Sequence, residues 1–148
     1  MDSGKNKCLI IGAICSGVAA LAHLGCIIFG GDWYRFFGAG EQMAKMAEDG
    51  HWYPTVVTSI IVLILSLWTL YGLSGSKVIF RLPLLKLGLI VISLIYLVRG
   101  VAFVAIMPML PENSLIFWVV SSGICLFIGI LYSVGTCQSW SKLSVKNA

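Results

Sequence analysis

The sequence predicts an all-α, polytopic membrane protein: a single domain over residues 1–148, built as a four-transmembrane-helix bundle with an outer amphipathic helix between the first and second spans. Three observations carry this. First, 59% of the 148 residues are hydrophobic and 11% are charged, against roughly 25% charged in soluble domains, and the mean hydropathy is +0.97. Second, four apolar stretches are each long enough to cross a hydrocarbon core of ~30 Å as a helix. Third, the basic residues outside those stretches fall mostly on one side of an alternating path.

The first span, Cys8 to Gly30, is too long for the apolar region of a secretion signal and lacks a small-residue cleavage pattern, so it is expected to stay attached. Along one seam it carries Gly12, Ser16, Ala19 or Ala20, and His23, with Ala13 and Gly17 beside them. The segment Gly31 to Tyr53 is long for a structureless connection. On a helical wheel Phe36, Phe37, Gly40, Met43, Ala44 and Ala47 share one face, and Arg35, Glu41, Gln42, Lys45, Glu48 and Asp49 the other. Asp32 is placed to cap this amphipathic helix and Gly50 to end it, while Gly38 and Gly40 weaken it and admit a bend. It is expected to lie in the outer interface or fold over the mouth of the bundle.

A His51-Trp52-Tyr53-Pro54 turn leads into the second span, Pro54 to Leu73, where Thr55, Ser59, Ser66 and Thr69 form a hydroxyl stripe. The third span, Leu84 to Met107, contains Tyr96 and Arg99. The fourth, Leu115 to Thr136, places Ser122, Cys125, Gly129 and Tyr132 or Ser133 on one seam. Such stripes are routine where helices pack in a bilayer, because small residues allow close approach and hydroxyls bond neighbouring carbonyls. Packing is therefore favoured over a pore, and a left-handed bundle is expected.

Lys5 and Lys7, then Lys77, Arg81 and Lys86, then Lys142 and Lys146 fall on one side of this path, and only Arg35 and Lys45 on the other. The positive-inside bias puts both termini in the cytoplasm. Trp33, Tyr34, Trp52, Tyr53 and Trp118 are expected at the outer interface, and Trp68, Tyr71 and Trp140 at the inner one. The net charge of +4 is spread by topology, without a basic patch calling for nucleic acid. The five cysteines are scattered and unpaired in spacing, and two histidines offer no matched ligand set, so no metal or other cofactor is predicted. Only His23 could serve a Ser or Cys nucleophile as a base, with no motif around it, so no catalytic residue is assigned and the reading leans away from an enzyme.

His23 and Arg99 break the apolar pattern, and an ionisable group inside a span marks a functional site by default. Counted from the expected outer ends of their helices, both lie ~10 to 12 Å deep. Tyr96 sits one turn from Arg99 on the same face. No span contains Asp or Glu, so the guanidinium needs a partner from outside: Asp32, Glu41, Glu48, Asp49, Glu112 or a bound anion. Glu41 is favoured, although Glu41, Lys45 and Asp49 also form an i, i+4 ladder content in water. The resulting expectation is an outward-facing pocket that binds a lipid, quinone or other small amphiphile, with His23, Trp33, Glu41, Trp52, Tyr96 and Arg99 as its ligand-binding residues. The alternative is a structural or accessory subunit, in a homo-oligomer or beside a partner membrane protein whose carboxylate pairs with Arg99.

The segments Arg35-Phe36-Phe37-Gly38-Ala39-Gly40-Glu41, Leu70-Tyr71-Gly72-Leu73-Ser74-Gly75, Arg81-Leu82-Pro83-Leu84-Leu85-Lys86 and Arg99-Gly100 resemble small bacterial four-helix inner-membrane proteins of the DoxX-like group. The resemblance covers about the first three spans and rests on short segments. It implies a bacterial cytoplasmic membrane protein with both termini inside. His23 is followed by Leu24-Gly25, which departs from the group's usual His-Gly pair, and no activity is carried over.

Overall fold

The computed structural model describes residues 4–109, 111 and 113–144. Within them the chain forms α1 (Lys7–Phe29), α2 (Gly31–Phe36), α3 (Glu41–Glu48), α4 (Trp52–Gly75), α5 (Leu85–Val101), α6 (Phe103–Ile106), a 3₁₀ turn (Met107–Met109), α7 (Leu115–Gln138) and α8 (Trp140–Ser144). Three of these, α1, α4 and α7, are long and apolar enough to cross a membrane. The third expected span differs from the sequence reading. Its helix stops at Val101, and the α6–3₁₀ continuation leaves at 54°. A straight helix of 17 residues reaches only ~26 Å, so α5 qualifies as a span only together with that bent continuation. Pro108 has no backbone N–H to offer to Val104, which keeps the continuation from being a regular helix.

The four long helices pack in a ring, α1 against α4 and α7, and α5 against α7 and α4. Small residues set the separations. A methyl group on Gly72 would lie 2.8 Å from the Ala13 Cβ, and one on Gly100 would lie 3.0 Å from the Leu126 backbone nitrogen. The seams of the first and fourth spans are packing surfaces too, with Gly12 against Tyr132 and Gly129 against Leu97. The hydroxyl stripe of the second span packs only in part: Ser59, Ser66 and Thr69 each donate to the carbonyl four residues back, Ser66 is exposed, and Thr69 faces Gly17 of α1. Intrahelical bonding satisfies these hydroxyls without a neighbour.

At the centre of the ring runs a chain of hydrogen bonds. The Tyr96 hydroxyl lies 2.9 Å from Ser16 Oγ, which is 3.3 Å from the Tyr132 hydroxyl. Tyr132 in turn donates to the Trp68 carbonyl at 2.9 Å. One proton per hydroxyl suffices if each donates to the next, from Tyr96 to Ser16 to Tyr132 to Trp68. Trp68 also meets Tyr96 edge-on, and Tyr96 stacks on Tyr132. Trp68 therefore faces the bundle interior rather than forming an interfacial belt.

The two ends of the ring are built differently. At one end, Asn6 caps α1 by accepting from the Leu9 N–H and donates to Gly135 O and Ser139 Oγ, tying the N-terminal side to the end of α7. At the other end, the expected single amphipathic helix is two short ones. Gly38 and Gly40 have φ of 72° and 93°, left-handed values that glycine adopts without strain, and the chain turns there. Asp32 does not cap the segment. Gly30 occupies that position and Asp32 lies in the first turn of α2. The two helices fold over the bundle around Tyr34, Ala44 and Cys26, and Tyr34 bonds the buried Thr58 hydroxyl of α4 at 3.1 Å. Gly38 abuts Phe117 of α7, and Asn113 donates to the Gly38 carbonyl.

Candidate functional site

The two arginines of this half of the molecule have different surroundings. Arg35 sits on the cap. Its Nε and Nη2 donate to the two carboxylate oxygens of Glu41 at 2.7 and 2.9 Å, Nη2 also reaches Glu48 at 3.1 Å, and Nη1 reaches Asp32 at 3.3 Å. The fork geometry suits a bidentate carboxylate. These bonds hold the Glu41 and Glu48 carboxyls below the ordinary carboxylate range and raise the Arg35 guanidinium above its own. Glu41, the favoured partner of Arg99, is thus bound to Arg35 instead, because the Gly38–Gly40 turn brings it back onto α2. Its ladder contact with Lys45 is also present, at 3.9 Å. Glu112, another candidate, lies outside the described residues.

Arg99 lies between α5 and α7. One amino group is 3.4 Å from Ser121 Oγ, and its guanidinium carbon lies 5.7 Å from the centre of the Trp118 ring, within the ~6 Å range of a cation–π contact. Arg99 Nη1, Trp118 Nε1 and Ser122 Oγ are buried and find no hydrogen-bond partner among the described residues. Trp118 and Ser122 are one turn apart on the same face of α7, so three unsatisfied groups collect on one stretch of the α5–α7 seam. Two are obligate donors and the third can donate. Such a set calls for an acceptor, and an unmet buried polar group costs about 1–3 kcal/mol. Arg99 also lies nearer a helix end than expected, two residues, or ~3 Å, before α5 ends.

The other expected site residues are placed elsewhere. His23 is half-buried and donates from Nδ1 to the Ala19 carbonyl of its own helix at 2.8 Å. Trp33 packs on Gly25 and stacks on Phe29. Tyr96 belongs to the central hydroxyl chain. Trp52 is exposed beside Tyr53 and borders a cleft of about 290 Å³ with Tyr34, Ala47 and His51. The described contacts place these six residues in separate surroundings. Trp118, expected at the outer interface, is instead 1% exposed and joins Arg99. Its spacing from Ser122 was the available signal, but the order of helices around the ring decides which face meets the arginine.

Fold and site together define a helical protein with several helices apolar enough for a membrane and one arginine set among them with no carboxylate bound to it among the described residues. The chain matches no protein-family model, no curated protein and no solved structure. No group of three or more His, Cys, Asp or Glu that could hold a metal occurs among the described residues.

Proposed function

We propose that the chain is a four-span protein of a bacterial cytoplasmic membrane, with both termini cytoplasmic, that holds the acceptor-rich head of a lipid, quinone or other amphiphile on the α5–α7 seam. In this reading α5 and its bent continuation form the third span, and the α2–α3 cap lies on the outer face. The kinship with DoxX-like proteins rests on the short segments alone. The supporting observation is that Arg99 Nη1, Trp118 Nε1 and Ser122 Oγ are buried without partners within the described chain, with the Arg99 guanidinium carbon 5.7 Å from the Trp118 ring centre and Ser122 one turn from Trp118. In a medium without water such groups are costly unless matched. Arg99 and Trp118 would hold the head by charge-assisted and indole hydrogen bonds, while the tail follows the apolar flank formed by the exposed Val98, Val119 and Val120.

Purification in mild detergent followed by mass spectrometry of the intact complex tests this. A small amphiphile bound at about one per chain and lost in Arg99→Leu supports the reading. A stoichiometric membrane protein released by the same substitution replaces it with the accessory-subunit reading. Retention of the same small molecule by Arg99→Leu refutes the site.

A further inference from the structure

The end of the bundle opposite the cap carries a cleft of about 710 Å³ among the starts of α1 and α5, the end of α4 and the α7–α8 junction. Lys5, Lys7, Lys77, Arg81 and Lys142 line it, and none of the described residues lining it is Asp or Glu. Arg81 is anchored, donating to the Leu143 carbonyl. The four lysines are exposed, and their side chains make no ion pair or hydrogen bond among the described residues. Unpaired like charges around one concavity repel, and a bound anion removes that cost.

Two helices begin at this cleft, since Lys7 and Cys8 open α1 and Leu85 opens α5. Neither has an acidic residue in its first turn. The start of a helix offers free N–H groups and a partial positive charge, and both favour anions. α1 spends one such N–H on its Asn6 cap, whereas α5 follows Leu84 in a left-handed conformation with no side-chain cap. Next in the chain to lining residues Ile79, Leu85 and Ser139, the side chains of Phe80, Leu84 and Trp140 expose large apolar surfaces. Lys86 lies over the Trp140 ring and bonds Ser144, outside the cleft.

We propose that this cleft is a phosphate-binding site, entered either by the phosphodiester head of an anionic lipid, whose acyl chains would meet the exposed apolar side chains, or by a soluble phosphate. Basic pockets between helices at a membrane face are suited to such heads. The site is independent of Arg99 and lies at the other end of the ring. It would neutralise the lysine cluster and pin the starts of α1 and α5 together.

The test uses the full chain in phosphatidylcholine nanodiscs, with phosphatidylglycerol added in one arm and inorganic pyrophosphate in the other, and counts bound ligand by native mass spectrometry. Retention of phosphatidylglycerol, weakened about fivefold for each of Lys77→Gln and Lys142→Gln, supports the site and names a lipid as the source. Pyrophosphate binding with the same lysine dependence, without phosphatidylglycerol retention, supports the site with a soluble source. Lys77→Arg and Lys142→Arg should bind as the parent does. Absence of binding in both arms overturns the proposal. So does an equal loss with Lys86→Gln, because the attraction would then be a diffuse property of the whole face.

Discussion

Arg35 and Arg99 carry the same guanidinium into opposite circumstances. Arg35 draws on three carboxylates within thirteen residues of chain, all outside the apolar helices. Arg99 has one long contact to a serine, the face of an indole, and an amino group with no partner among the described residues. The first arrangement fastens a surface cap. The second is incomplete, and the difference teaches where to look for function: a satisfied charge reports on folding, while an unsatisfied one among apolar helices reports on something brought to it.

The sharpest way to break the comparison is Arg99→Leu. It should lower retention of the bound amphiphile by more than about tenfold, the scale of a lost charge-assisted hydrogen bond, while thermal stability in detergent holds or rises. A large loss of stability would make Arg99 a structural residue like Arg35. Next in size, Tyr132→Phe should cost about 1 kcal/mol in thermal unfolding, because it removes the bonds that the Tyr132 hydroxyl makes to the Trp68 carbonyl and Ser16 in the bundle centre. It should leave retention nearly intact. Trp118→Phe keeps an aromatic ring and removes the N–H, so retention should drop severalfold, with a stability loss of about 1–3 kcal/mol from the smaller side chain in a buried site.

Glu41→Gln should have a smaller effect, confined to the cap. Hydrogen exchange over residues 31–50 should quicken modestly, with retention unchanged. If retention fell with it, Glu41 would serve Arg99 after all. The pH response separates the two arginines further. Glu41 and Glu48 are held below the ordinary carboxyl range, so their support is present above the unfolded value of about 4.3 and is lost as pH falls through the lower folded values. Exchange protection of the cap should fade there while that of the α5–α7 seam persists.

Much of the architecture could be read from apolar stretch lengths. The expected first, second and fourth spans agree with α1, α4 and α7 to within two residues at each end. The break after Val101 was hidden because hydropathy stays high through Met107 and carries no information about direction. The cap was legible as an amphipathic segment with weak points at Gly38 and Gly40, but its pairing was not. Glu41 faces Arg35 only once the turn has formed. Arg99 stood out from the chain alone, as an unpaired charge in an apolar run. Its neighbours Trp118 and Ser122 did not, whereas His23 was expected at its depth and Tyr96 one turn away on its face. Depth along separate helices says nothing about which faces meet, and the ring turns Tyr96 to the centre while His23 bonds its own backbone.

The most direct measurement is a high-resolution structure of the protein in a lipid mesophase, read at the α5–α7 seam. The account predicts an oxygen of a bound amphiphile within hydrogen-bond reach of both Arg99 Nη1 and Trp118 Nε1. Arg99 stretched into the head-group layer, leaving the indole N–H with no ligand beside it, would contradict it.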